Sequence, residues 1–279
     1  MGHYLKYPTL TQLWHRTAHK QLFATHDEID FVASIDTCRY DNVLSCDSME
    51  YDFDMGRDLW LTKARFTVLQ RDYLDLYQLE SFLTRCEEIG LGEAKRGVVT
   101  NMFCKQHKMS AKKYRWGNCM LAFTYRGGNK HERPTLALHS RVSYIAYIGG
   151  LDLALAWVLA REIGKRIGRD PADFQFRWHV DSLQFHGFKS IPYLLRFGLD
   201  DVLTKENTRY PSDEYPTLKL VRNWWGKMLE AHEEGKPLEA EKYGPLKRIR
   251  RRHKEYVEGS PLPSVPITEL TLQPLRERG

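Results

Sequence analysis

The chain has 279 residues, 42% hydrophobic and 28% charged, with a formal net charge of +6. That is enough for one large domain or two small ones with an ample buried core. No apolar run approaches the ~20 residues needed to cross a bilayer, and MGHYLKYPTL has no apolar signal region, so a cytoplasmic protein without a membrane partner is expected, or one in the host cytoplasm if the gene is phage-borne.

Five cysteines (Cys38, Cys46, Cys86, Cys104, Cys119), an odd number with no CxxC pair, argue against a disulfide framework and against a cysteine-rich zinc site. Residues 247–254, KRIRRRHK, hold six of the Lys and Arg, so the remainder is close to balanced. Without zinc-finger spacing, an RNP motif or a zipper heptad, this run reads first as a solvated helix face and second as a nucleic-acid patch.

In chain order, residues 8–24 read as an amphipathic helix with Leu10, Leu13, Trp14, Thr17 and Leu22 near one face. His15 and His19 in it have i, i+4 spacing, but no glutamate follows His15, so they are read as a surface pair and no metal site is expected. Residues 28–75 read as irregular or stranded, with alternating pieces such as MEYDFD and LWLTKARFTVL. Helical period returns over 74–89 through Leu76, Leu79, Leu83, Cys86 and Ile89, with Gly90 as its stop and Cys86 in a core. Strand-like runs follow at 96–104, 119–126 and 134–148, then an apolar helix over 153–163 opened by Asp152, and a strand-like run at 172–180. Two charged helices are expected at 216–234 and 238–257. Residues 259–279 form a Pro-rich tail behind a single domain over 1–258. Strands mixed with helices, without regular βαβ alternation, predict an α+β fold.

Several chemistries are absent: there is no P-loop, no GxGxxG after a strand, no GxSxG and no HExxH. What is left is a constellation of Cys119, the pair Lys95 and Arg96, Arg141, Asp152 and the run HVDSLQFHG. An isolated cysteine would read as core filler, an isolated strand-end arginine as surface charge, and an Asp after Gly-Gly-Leu as a helix N-cap. His139 and His179, in strand-like segments, read as structural.

Taken in order, four segments resemble the thymidylate synthase superfamily, most closely its cytidylate hydroxymethylase branch. They are FLTRCEEIGLGEAKRGVVTNMF, GNCMLAFTYRGG, LALHSRVSYIAYIGGLDLALAWVLAREIG and HVDSLQFHG, and the resemblance covers roughly residues 74–190. It implies a mixed β-sheet flanked by helices, dimerising through the sheet, with the first 73 residues divergent.

The roles implied are these. Cys119 resembles the nucleophile that adds to pyrimidine C6, a task for which a thiolate favoured by nearby cations is suited. Arg141 resembles the arginine on the nucleotide phosphate, which its planar fork fits. Lys95 and Arg96 resemble the pair donated across the dimer to the partner's phosphate. Gln184 and His186 stand where the family has its sugar-binding histidine and tyrosine. Asp152 stands where thymidylate synthases have an asparagine that reads uracil. Cytosine reverses that edge, and a carboxyl group accepts from its amine and, when protonated, donates to N3.

The resemblance therefore implies 5-hydroxymethylation of CMP or dCMP with 5,10-methylenetetrahydrofolate as donor and water capturing the exocyclic methylene. The alternatives are a thymidylate synthase methylating dUMP and a non-catalytic relative that binds nucleic acid through residues 247–254. Three departures stand out. Val142 replaces a phosphate-binding serine, Tyr144 replaces the pterin-binding carboxylate, and the N-terminal Glu-x-x-Trp helix is matched at most by Glu28.

Overall fold

The computed structural model describes residues 4–24, 28–39, 66, 70, 74–94, 98–103, 121–127, 133–145, 149–184, 214–233 and 271–272. Six strands form one sheet: β1 (Tyr4–Tyr7), β2 (Glu28–Ile35), β3 (Val98–Phe103), β4 (Leu121–Arg126), β5 (Thr135–Tyr144) and β6 (Gln175–Gln184). Their order is β1-β2-β6-β5-β4-β3. β1 with β2 and β5 with β6 run parallel, and the other three pairs are antiparallel. The expected mixed sheet flanked by helices in an α+β chain is present.

Before one irregular row the sheet buries one face by alternation. Phe31, Ala33 and Ile35 of β2 stand in register with Val180, Trp178 and Phe176 of β6, which pair with Ser140, Leu138 and Leu136 of β5. Phe123 and Tyr125 of β4 continue the rows, and all of these residues are buried. Three helices lie over this face: α1 (Leu10–Leu22) on β2, α2 (Leu76–Gly90) on β3, and α3 (Gly150–Ile167) on β5 between them. A fourth, α4 (Pro216–Glu233), buries Leu218, Val221 and Trp225. The opposite face carries Arg177, His179, His139 and Arg141, and no described helix covers it.

Local chemistry explains the helices. Thr9 caps α1 through Oγ1, which accepts from Gln12 N, and the predicted face (Leu10, Leu13, Trp14, Thr17, Leu22) is buried. Asp75 caps α2, accepting from the backbone of Tyr77 and Gln78. Helix α3 is buried almost all round, as a run without a polar stripe requires. Cys86 lies fully buried, and burial pushes its thiol pKa up, as it does that of Cys38.

Some expectations are corrected. The stop of α2 is not Gly90, which is helical, but Gly92, whose φ of 80° takes the left-handed turn while its N–H bonds Ile89 O. LWLTKARFTVL was expected to be stranded. Of that run only Phe66 is described; it is helical and buried, as is Gln70 just after it. Gln70 Nε2 donates to Thr271 O at 2.9 Å, and Leu272 packs against the core. The strand at 172–180 begins at Gln175, after a 3-10 turn (Pro171–Asp173) that Asp170 caps. The described residues also hold two βαβ units, β1-α1-β2 and β5-α3-β6, although the strands and helices show no regular alternation.

Candidate functional site

The β5-α3-β6 unit sets the site. In such units the carboxyl ends of the parallel strands, beside the start of the crossover helix, are the usual place for a ligand. Here that end is formed by Ser143 and Tyr144 of β5, Leu183 and Gln184 of β6, and the first turn of α3 with Asp152.

An irregularity crosses the three central strands just before this end. The ladders pair residue after residue except in one row, where Asp30, Asp181 and Arg141 should face each other. Asp30 has φ 54°, a left-handed conformation that aspartate tolerates better than most residues. The burial pattern changes phase at the same row. Residues 136, 138 and 140 are buried before it and 143 and 145 after it, and β6 changes from 176, 178 and 180 to 183. The register is the same on both sides of this row, so no strand gains a residue on its neighbour, yet the side chains beyond it point to the other face. Without the irregularity, Ser143 would share the open face with His139 and Arg141; with it, Ser143 is buried on the helix side.

There Ser143 Oγ donates to Asp152 Oδ2 at 3.0 Å. Asp152 is 2% exposed and Ser143 0%. Asp152 is not the N-cap of α3, a role open to it from the sequence; that position is Gly149, with no side-chain capping bond, and Asp152 lies in the first turn. Burial raises the carboxyl pKa to about 7, against the opposing pull of the Ser143 hydrogen bond. The joint between β5 and α3 is close-packed. A Cβ on Gly149 would stand 2.9 Å from Ile145 Cδ1, and one on Gly150 3.0 Å from the Trp14 ring. Trp14 Nε1 donates to Ile145 O at 2.7 Å, and Trp178 Nε1 to Ser140 Oγ at 3.2 Å. Neither Ser143 nor Trp14 stood out in the sequence as a site residue. Strand alternation aims Ser143 the wrong way, and Trp14 reads as one apolar position among several on α1.

The other candidate residues divide into three groups. Gln184 stands beside Tyr144 in the parallel register, both half-buried, and its Nε2 donates to Ser182 Oγ at 3.0 Å. Arg141 is exposed at the irregular row, and no ion pair joins it to Asp152. Cys119, Lys95, Arg96 and His186 lie outside the described residues, as does the basic run 247–254, while β4 begins two residues after Cys119, with Leu121 opposite Ser140. On the open face His139 and His179 stack at 4.5 Å between ring centroids and 18° between planes. Burial, with the charges of His139 and Arg177, lowers the His179 pKa, and Asp181 opposes them. Among the described residues no group of three or more His, Cys, Asp or Glu is placed to hold a metal ion, and no helix is long and apolar enough to cross a membrane.

Chemically, a buried carboxyl group that titrates near neutrality offers a donor and an acceptor side by side. It is suited to a ligand edge that presents an acceptor next to a donor. No protein-family model matches this chain, and the search of curated proteins gave no match.

Proposed function

We propose that the chain is a pyrimidine nucleotide 5-hydroxymethyltransferase of the thymidylate-synthase type, acting on CMP or dCMP as a homodimer. The observation that carries the reading is the Asp152 carboxyl: buried, held by Ser143, and able to be neutral or ionised near pH 7. In its neutral form it accepts from the cytosine 4-amine through one oxygen and donates to N3 through the other, the reverse of what a uracil edge asks for.

Of the other residues that the resemblance names, Arg141, at the irregular row on the sheet face away from Asp152, is assigned the 5′-phosphate with Lys95 and Arg96 of the partner protomer, and Gln184 and His186 are assigned the sugar. The Cys119 thiolate adds to C6, and C5 becomes an enamine-like carbon that attacks a one-carbon electrophile. Methylenetetrahydrofolate is the donor the resemblance implies. At the position of the family's pterin-binding carboxylate stands Tyr144, a half-buried phenol. A phenol does not fit that contact, so the steps assigned concern the nucleotide alone.

Dimerisation through the sheet has a physical basis in the open face. On β6, Arg177 and Asp181 flank His179 two residues to either side, both exposed. A two-fold axis across the strands at His179 would set each Arg177 against the Asp181 of the other copy, a self-complementary arrangement.

The test is release of tritium to water from 5-tritiated CMP or dCMP in the presence of methylenetetrahydrofolate. Release from one of the two, abolished in Cys119→Ser, is expected. Absence of release from both would remove the reading, and release from 5-tritiated dUMP in preference would assign the chain to thymidylate synthesis.

A further inference from the structure

We infer that Ser143 is a specificity-determining positioning residue: its hydroxyl fixes which oxygen of Asp152 accepts and which is left to donate, and so selects a cytosine edge over a uracil edge. The inference rests on the proposed role of Asp152 in reading the base.

A carboxyl group can present its two oxygens to a pyrimidine in either sense, and rotation about its terminal bond interconverts them. In water the two senses are equivalent. Here the group is 2% exposed, and one oxygen, Oδ2, takes the Ser143 hydrogen bond at 3.0 Å. A hydroxyl that donates to Oδ2 makes that oxygen the acceptor of the pair and leaves Oδ1 to carry the acid proton. The face so presented is acceptor beside donor, which matches the amine and N3 of cytosine. To read uracil, the carboxyl would have to turn over and give up the Ser143 bond at a position only 2% exposed to solvent.

Ser143 is held to this task by its surroundings. The irregular row at Asp30, Asp181 and Arg141 puts it on the helix side. The bare Cα of Gly149 passes over it, where a Cβ would stand 3.5 Å from Ser143 Oγ. Its neighbours there, Ile145 and the Trp178 ring, offer its hydroxyl no second acceptor from their side chains, because isoleucine has no polar atom and the indole N–H only donates.

The experiment compares Ser143→Ala, Ser143→Cys and Ser143→Thr with the wild-type chain and with Asp152→Asn. Two quantities are read: the ratio of dissociation constants for CMP against UMP, and for dCMP against dUMP, by calorimetry; and the titration midpoint of the Asp152 carboxyl by carbon NMR, with Asp152→Asn as the assignment. Cysteine fills the space of serine but donates poorly, so it separates the hydrogen bond from packing and serves if the alanine variant does not fold. The expected result is a cytosine preference lowered by roughly tenfold or more in the Ala and Cys variants, kept in Thr, with the Asp152 midpoint raised in Ala and Cys. An unchanged preference in the Cys variant overturns the inference and leaves Ser143 a packing residue. A preference that is the same in the wild-type chain and in Asp152→Asn overturns the role of Asp152 itself, a failure visible without any Ser143 variant, and the inference falls with it.

Discussion

The Asp152 carboxyl holds its proton up to about pH 7, where an aspartate in water loses it near 3.8. Between those values the native chain binds a proton that the unfolded chain has released, so stability falls as pH rises through the window. Below about pH 4 the two states are alike, and above about pH 7 the full cost is present. A gap of about 3 pH units at ~1.4 kcal/mol each sets that cost on the order of 4 kcal/mol. Solvent does little to screen it, since the side chain is buried on all sides. Asp152→Asn, which keeps the shape and an acceptor for Ser143, is therefore expected to be more stable than the wild type by a few kcal/mol at pH 8 and about equal to it at pH 4. Urea unfolding of both proteins at the two pH values measures this, and parallel stability–pH curves would contradict the burial cost. A stabilising loss of a charged group is the usual sign of a residue kept for function, since natural sites carry strain or desolvation that stability alone would remove.

Helix α3 has its own test, in which two effects oppose each other. Gly164 lies inside the helix, where alanine is favoured by ~1 kcal/mol. A Cβ there would stand 2.4 Å from the backbone carbonyl oxygen of Arg169, in the turn where Arg169 N bonds Gly164 O at 2.8 Å and Gly168 takes φ 69°. A backbone atom cannot swing aside as a side-chain end can, so the clash outweighs propensity. Gly164→Ala is expected to lower the melting temperature, and a rise would mean that the turn after α3 relaxes freely. The same turn leads through Asp170 and its 3-10 turn into β6, so this glycine governs how closely the β5-α3-β6 unit closes. The parallel register of β5 and β6 that results brings His139 beside His179 and Tyr144 beside Gln184.

At the scale of the molecule, the sheet has one face under helices and one that no described helix covers. Ala137 of β5 lies on that second face, next to Thr124 of β4 and Arg177 of β6 in the register. If two copies meet there, a long cation at that position separates them. Ala137→Arg is expected to sediment as a monomer of about 33 kDa while the wild-type chain sediments at twice that mass, with far-UV circular dichroism unchanged. A wild-type monomer, or a variant that remains dimeric, would remove the sheet face as the contact.

By itself the sequence determined the elements whose periodicity is strong: the α1 face from Leu10 to Leu22, the helix through Cys86, the apolar α3, and the strand-like runs at 96–104, 119–126 and 134–148, within which β3, β4 and β5 lie. Their patterns are local, set by 3.6- and 2-residue repeats that must match a buried face. It also marked Asp152, as a helix N-cap by its local setting and as a base-reading residue by the resemblance. What only the tertiary structure decided is which residue answers Asp152. The partner is nine positions away on another element, and simple alternation sends Ser143 to the far face. An irregular row crossing three strands, of which only two are joined by a helix in sequence, reverses that direction. Pairing across strands is a long-range matter of register, invisible to any window along the chain, and it converts a suspected helix cap into a buried acid with a fixed hydrogen-bond donor.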